Sequence, residues 1–257
     1  MKVLVDSRKN TFTISTDLYS LSYDNHDPSY VRLSAGTLNQ ELCIWSACDA
    51  PGRKDVISRI IKTPHIAAVK GGQRITFEAR SILHGKKSYF FECLEDHIEY
   101  AAAFTPAAPI DKIHYFAGWG ISDLFRPAVR GEGRKKPDPK TLEINEIKSS
   151  KAFPILFNPE PNGLDRQWVS SQDYAKISVN NDPHFNGANW FFTPGLLAFA
   201  AADQERASWF SMGVAARPGE YNFSDYEFAG GRFLGLSLTC FGQVFPEGFF
   251  ETPRIVF

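Results

Sequence analysis

The sequence predicts an all-β protein, a large two-layer antiparallel sandwich of the supersandwich type with very little helix. Three observations carry that expectation. Apolar residues recur at every second position, as in Ile75, Phe77 and Ala79 or Leu234, Leu236, Leu238 and Cys240, the period at which a strand places alternate side chains on one face. Short runs of this kind are separated by turn-forming clusters along most of the chain. The composition is rich in rings, with 22 Phe, 9 Tyr and 5 Trp in 257 residues, which suits a broad, well-filled core.

The amino-terminal hundred residues read as consecutive hairpins. Phe12 to Ser15 and Tyr19 to Tyr23 are strands, and the stretch from Asp24 to Pro28 is a turn. Tyr30 to Leu33 and Glu41 to Trp45 follow, then a loop from Asp49 to Lys54 and a strand from Ile57 to Ile61. His65 to Val69 leads into Gly71-Gly72, a strong turn signal, and Arg74 to Ile82 continues beyond it. His84-Gly85-Lys86-Lys87 turns the chain into Tyr89 to Leu94, and Asp96 turns it again into Ile98 to Phe104. Strands joined by short polar turns form an antiparallel meander.

Between about 106 and 153 the rhythm breaks. A proline-flanked stretch, Pro106 to Pro109, precedes Asp111 to Trp119 and a basic, proline-bearing run from Arg126 to Lys140. A long insertion of this kind within one domain is usually functional or mobile. A short helix is expected at Thr141 to Ser149. Strands then resume at Phe153 to Phe157, Ala175 to Val179, Trp190 to Phe192, Leu196 to Ala201, Ser208 to Ala215, Tyr226 to Phe228 and Arg232 to Phe241. No repeat of fixed period is visible, which argues against a propeller or solenoid. The whole of 1–257 is therefore read as one domain carrying an insertion.

Charge and cysteine usage exclude several functions. Twenty-eight basic residues nearly balance 29 acidic ones, so no general attraction to nucleic acid or anionic membrane arises. The basic run Arg134-Lys135-Lys136 is short and interrupted by Pro137 and Asp138. No apolar run reaches signal-peptide or membrane-spanning length, and the expectation is a soluble cytoplasmic protein, or a secreted one if a signal segment once preceded residue 1. Cys43, Cys48, Cys93 and Cys240 lack paired metal-ligand spacing and read as reduced thiols. The six histidines show no pairing on a strand face or helix turn, so no metal or other cofactor is expected.

Two clusters have residue types suited to chemistry. The insertion holds His114, Tyr115, Trp119, Asp123, Arg126, Arg130, Glu132 and Arg134. Asp123 and Glu132 fit the pair of carboxylates that glycosidic chemistry needs. The arginines suit bidentate recognition of a carboxylate or phosphate, and Trp119 suits stacking on a sugar face. The same residues also fit a solvated loop whose arginines pair with Glu132 and Asp138. The second cluster, Asn180 to Trp190, places His184 and Trp190 among amides that hydroxyl-rich ligands favour, although Asn, Asp, Gly and Pro also serve any turn. No Gly-x-Ser-x-Gly elbow or phosphate-cradling glycine loop is present.

Several fragments of the second half resemble one family. They are Phe157-Asn158-Pro159-Glu160-Pro161, the run from Trp190 to Phe199, Trp209-Phe210-Ser211-Met212-Gly213-Val214, and the closing Phe250 to Phe257. Their order resembles the amino-terminal β-supersandwich of α-galactosidase- and α-glucosidase-like glycoside hydrolases, and the sandwich is similar to the galactose-mutarotase fold. The resemblance implies a carbohydrate-associated domain beside a catalytic barrel, the barrel holding the nucleophile and acid. A chain without that barrel is then expected to bind glycan or shape a neighbouring active site. The mutarotase likeness implies an alternative, a stand-alone epimerase or polysaccharide lyase, with His114 or His184 moving a proton and Glu132 or Glu251 as partner. The mutarotase histidine motif itself is absent.

Overall fold

The computed structural model describes residues 1–26, 28–36, 38–116, 119–120, 152–157, 166–168, 175–180, 196–201, 209–215, 223–229, 232–244 and 247–257. The described residues contain strands and no helix, and form three sheets. The first has five strands in sequence order: β1 Lys2–Asp6, β2 Thr11–Ser15, β3 Ser20–Tyr23, β4 Tyr30–Ala35 and β5 Leu38–Cys43. The second is the long one. Its strands run β12 (Trp119–Gly120), β7 (Val56–Val69), β8 (Gly72–Ser81), β9 (Gly85–Leu94), β10 (Ile98–Phe104), β21 (Arg254–Val256), β17 (Trp209–Ala215), β16 (Leu196–Ala201), β13 (Ala152–Phe157) and β14 (Arg166–Trp168), with β20 (Phe250–Glu251) also on β10. The third runs β15 (Ala175–Asn180), β18 (Phe223–Ala229), β19 (Arg232–Val244), β11 (Ile110–Tyr115) and β6 (Ala47–Asp49). Every pairing is antiparallel except β12 with β7.

One apolar core joins all three sheets, as a sandwich requires. The alternation that predicted β8 and β19 is the burial pattern itself: Ile75, Phe77 and Ala79 point inward, as do Leu236, Leu238 and Cys240. Phe77 meets Phe12 and Tyr23 of the first sheet, with ring centroids at 6.3 Å and 5.3 Å. Tyr100 on β10 meets Tyr115 of the third sheet at 6.3 Å. The long sheet thus forms one layer, and the other two sheets pack on its inner face.

Local sequence explains the exceptions. Ile57 to Ile61 and His65 to Val69, expected as two strands, form the single strand β7, which pairs with β8 through register shifts at Ile57/Arg59, Ile60/Lys62 and Lys62/His65. Pro64 lies in the last shift, where its missing N–H interrupts the ladder. The turn before β8 needs both glycines. Gly71 has φ +81°, and a Cβ on Gly72 would sit 2.0 Å from the Cys93 carbonyl oxygen. The segment read as an insertion opens with a strand, since Ile110–Tyr115 pairs with β6 and, through a register shift between Ile110 and Lys112, with β19. The helix expected at 141–149 and the strand expected at 190–192 lie outside the described residues. The closing residues 250–256 return to the middle of the long sheet, between β10 and β17. No helix among the described residues is long and apolar enough to cross a membrane.

Candidate functional site

The densest polar arrangement among the described residues lies where β6, β8, β9 and the chain before β7 converge. Alternation along β9 turns Lys87 to the inner face together with Tyr89, Phe91 and Cys93. A lysine in that register must find its partners inside. Lys87 Nζ donates to the Asp55 carboxylate and to the Ser46 carbonyl at 2.8 Å, and it lies 4.6 Å above the Phe104 ring. Both side chains of the pair are fully buried.

The remaining valences of Asp55 are also filled. Its Oδ2 accepts from Cys48 N–H at 2.8 Å, and its Oδ1 accepts from the Ser81 hydroxyl. Ser81 Oγ in turn accepts from the N–H groups of Leu83 at 3.1 Å and His84 at 3.0 Å. The imidazole of His84 closes the ring. Its Nδ1 accepts from Ala107 N–H at 3.3 Å, so Nε2 carries the proton and donates to the Cys48 carbonyl at 2.7 Å. Burial holds His84 below the ordinary imidazole value. Burial likewise pushes the Cys48 thiol up to about 12, leaving it unionised. Lys87 is shifted up: burial, the largest single influence, opposes its charge, but the Asp55 carboxylate and the other groups around it together exceed it.

Asp49 connects this sealed centre to a second, more open group. Asp55 N–H donates to Asp49 Oδ1 at 2.9 Å. Asp49 Oδ2 faces Lys54 Nζ at 2.7 Å and His114 Nε2 at 3.3 Å. Burial disfavours the charged form of Asp49, yet His114, the Asp55 N–H and Lys54 together hold its carboxyl below the usual range. His114 lies directly across from Ser237 on β19, and Ser237 Oγ is buried without a hydrogen-bond partner among the described residues. Lys54 is mostly exposed, so only this end of the group meets solvent.

Of the cluster singled out from sequence, Tyr115 is buried with its hydroxyl donating to the Pro253 carbonyl at 2.6 Å, and the side chain of His114 is described as well. His114 does not sit on a solvated loop: it belongs to β11, is 12% exposed and pairs with Asp49. Trp119 enters as backbone in β12, opposite Val56. Asp123, Arg126, Arg130, Glu132, His184 and Trp190 lie outside the described residues. Glu251, the alternative proton-transfer partner, is bound to Arg254 at 2.8 Å. Sequence reading missed Lys87, Asp55, Ser81 and His84. The available signal was parity, since Lys87 shares the inward phase of Tyr89 and Phe91. All four cysteines are free and buried. Among the described residues no group of three or more His, Cys, Asp or Glu is placed to hold a metal ion.

What the sealed centre can do chemically follows from its burial. Lys87 and Asp55 have no exposed surface, and with their partners they fasten four chain segments from within. The architecture is that of a large antiparallel β-sandwich with a polar clamp in its core. No protein-family model matches the chain, and no curated protein matches it in sequence. Solved structures do match in fold. The GH36 alpha-galactosidase AgaB from Geobacillus stearothermophilus superposes with a TM-score of 0.51 at 8% identity, over 100% of this chain and 40% of the enzyme. The alpha-N-acetylgalactosaminidase NagBb from Bifidobacterium bifidum gives 0.50 at 7% identity, over 95% and 35%. The chain therefore has the fold of a part of these larger glycoside hydrolases, as its sequence fragments suggested, and spans well under half of their length.

Proposed function

We propose that this chain is a carbohydrate-associated sandwich of a glycoside-hydrolase-related protein, which binds glycan or shapes a neighbouring active site and holds no complete active site itself. The observation that carries the reading is the fold likeness, which takes in 100% and 95% of this chain but only 40% and 35% of two α-glycosidases. The sealed state of the Lys87–Asp55 centre supports it further. In this reading Trp119 and Trp190 stack on sugar rings, Arg126 and Arg130 hydrogen-bond hydroxyls or a carboxylate, and a catalytic barrel is the partner.

The test has two arms. The purified chain, incubated with nitrophenyl α-galactoside and α-N-acetylgalactosaminide, is expected to give no turnover above buffer; turnover would overturn the non-catalytic reading. Oligosaccharide binding by calorimetry is expected to weaken by about tenfold or more in Trp119→Ala and Trp190→Ala. Unchanged affinity in both variants removes these rings from the role.

One observation favours the second reading, a stand-alone epimerase or lyase. His114 rests against an ionised Asp49, an arrangement that can orient an imidazole for proton transfer. Incubation with a single sugar anomer and with uronate polymers decides it: acceleration that His114→Gln abolishes would establish this reading.

A further inference from the structure

The edge strand β1 does not resemble the strands beside it. Its five residues, Lys2–Asp6, are all exposed, on both faces. Three of them are large and apolar: Val3 is 37% exposed, and Leu4 and Val5 are each 55% exposed. The strand is the end of the first sheet, so its inner edge pairs with β2 and no strand among the described residues pairs with its outer edge. Open apolar edges invite strand addition, and proteins usually blunt them with charge, proline or a bulge. Here the ladder to β2 is regular from Lys2↔Ser15 to Asp6↔Thr11, with no proline and no bulge.

The register with β2 assigns the faces. Val3 and Val5 lie opposite Ile14 and Phe12, both buried in the core, so the valines occupy the core-side face. Lys2, Leu4 and Asp6 occupy the other face. Read in either direction the strand is chemically symmetric about Leu4: a charge, a valine, the leucine, a valine, and the opposite charge.

We infer that β1 is a dimerisation edge, pairing antiparallel with β1 of a second copy about a twofold axis through Leu4, independently of any role in glycan recognition. A twofold axis normal to the sheet keeps each face on its own side, so only residues of the same parity can lie opposite one another. Of the registers that remain, the one centred on Leu4 pairs all five residues. It sets Lys2 against the partner's Asp6 at both ends, Leu4 against the partner's Leu4, and Val3 against the partner's Val5. Opposite charges directly across a ladder stabilise it and like charges oppose it. The registers centred on Val3 or Val5 leave a charge facing leucine and shorten the ladder. The hairpin turn leaves this geometry intact, since the N–H groups of Arg8 and Lys9 engage only Oδ1 of Asp6. The two valines of each copy then extend the apolar face of Phe12 and Ile14 across the axis. The contact is isologous and closes at two copies, which yields one continuous sheet of ten strands.

The experiment is sedimentation of the full chain. Wild type is expected to be a dimer at micromolar concentration. Leu4→Lys and Leu4→Glu each place like charges across the axis, and each is expected to weaken dimerisation by about tenfold or more. An equal mixture of the two variants places Lys against Glu and is expected to recover the dimer. Leu4 is mostly exposed, so neither variant disturbs the core, and circular dichroism verifies the fold. Because all four native cysteines are buried, Leu4→Cys adds an accessible thiol expected to cross-link two copies under mild oxidation. A monomeric wild type, dimerisation insensitive to both charge variants, a mixture that stays monomeric, or an open-ended assembly would each overturn the proposal.

Discussion

Strand β9 carries two charge networks on its opposite faces. Inward, Lys87 and Asp55 form a pair with no exposed surface and with each oxygen of Asp55 engaged. Outward, Glu92 is held by Arg74 and Arg254, and Arg254 also takes Glu99 and Glu251. Glu92 itself is buried, and the residues around it are partly exposed, Arg254 by 30%. Both networks show charges within contact distance, yet they do different things. In the core, water cannot replace a lost partner, so the pair acts as a clamp whose halves depend on each other. On the outer face solvent screens each bridge, and the network chiefly makes tolerable an otherwise repulsive placement of carboxylates.

The largest expected effect is therefore on the inner side. Lys87→Met leaves Asp55 buried with no cation, and unfolding in urea should show a loss of about 3–5 kcal/mol. The double variant Lys87→Met/Asp55→Asn should lose less than the sum of its single changes, because removing both charges removes the uncompensated one. A loss in Lys87→Met below about 1 kcal/mol would show that the two networks do not differ in kind.

The comparison sharpens with pH. His84 has its value lowered by burial, so the unfolded chain takes up a proton that the folded chain refuses. The sign follows: stability is full above the ordinary imidazole value of about 6.5 and falls as pH drops below it toward the lowered folded value. His84→Gln keeps a donor for the Cys48 carbonyl and removes the titration, and this first decline should disappear from a plot of urea midpoint against pH. Asp49 and Glu92 also have lowered values. Their contribution is present above the ordinary carboxyl range and lost further into acid, so His84→Gln should retain that second decline. At the other end Lys87 is raised by Asp55, and its contribution holds below about 10.5 and fades as pH climbs past that value.

The layers of this fold were legible where one face of a strand is dry and the other wet. That is why β2, β3 and β8 lie close to their expected bounds. Alternation fails where that contrast fails. β1 is wet on both faces and β6 is buried throughout, so neither has a readable phase. β7 loses its phase at each register shift. The site was less legible for a related reason. Lys86 and Lys87 look alike in a turn-like string, and only the strand's phase separates the exposed Lys86 from the buried Lys87. Asp55 is 32 residues from its partner in sequence, and no local pattern joins them. His114 was singled out for its neighbours in sequence, whereas its partner, Asp49, comes from another strand.

The smallest expected effect tests the outer network. Glu92 and Glu99 are direct cross-strand partners on β9 and β10, a like-charge pairing that disfavours a ladder. Arg254 donates to both, at 2.7 Å to Glu92 and more closely to Glu99, while its guanidinium lies 5.4 Å from the centre of the Phe90 ring. Arg254→Ala should cost roughly 1 kcal/mol near neutral pH, the upper end for a solvent-reached pair, because two carboxylates are left facing each other. Protonating Glu92 relieves that repulsion, so the deficit relative to wild type should shrink in acid. Added salt should shrink it as well. Lys87→Met, by contrast, should keep its deficit in salt, since ions do not reach the core. A salt-insensitive deficit in Arg254→Ala would mean that the arginine acts by packing its stem over Phe90 and not by its charge.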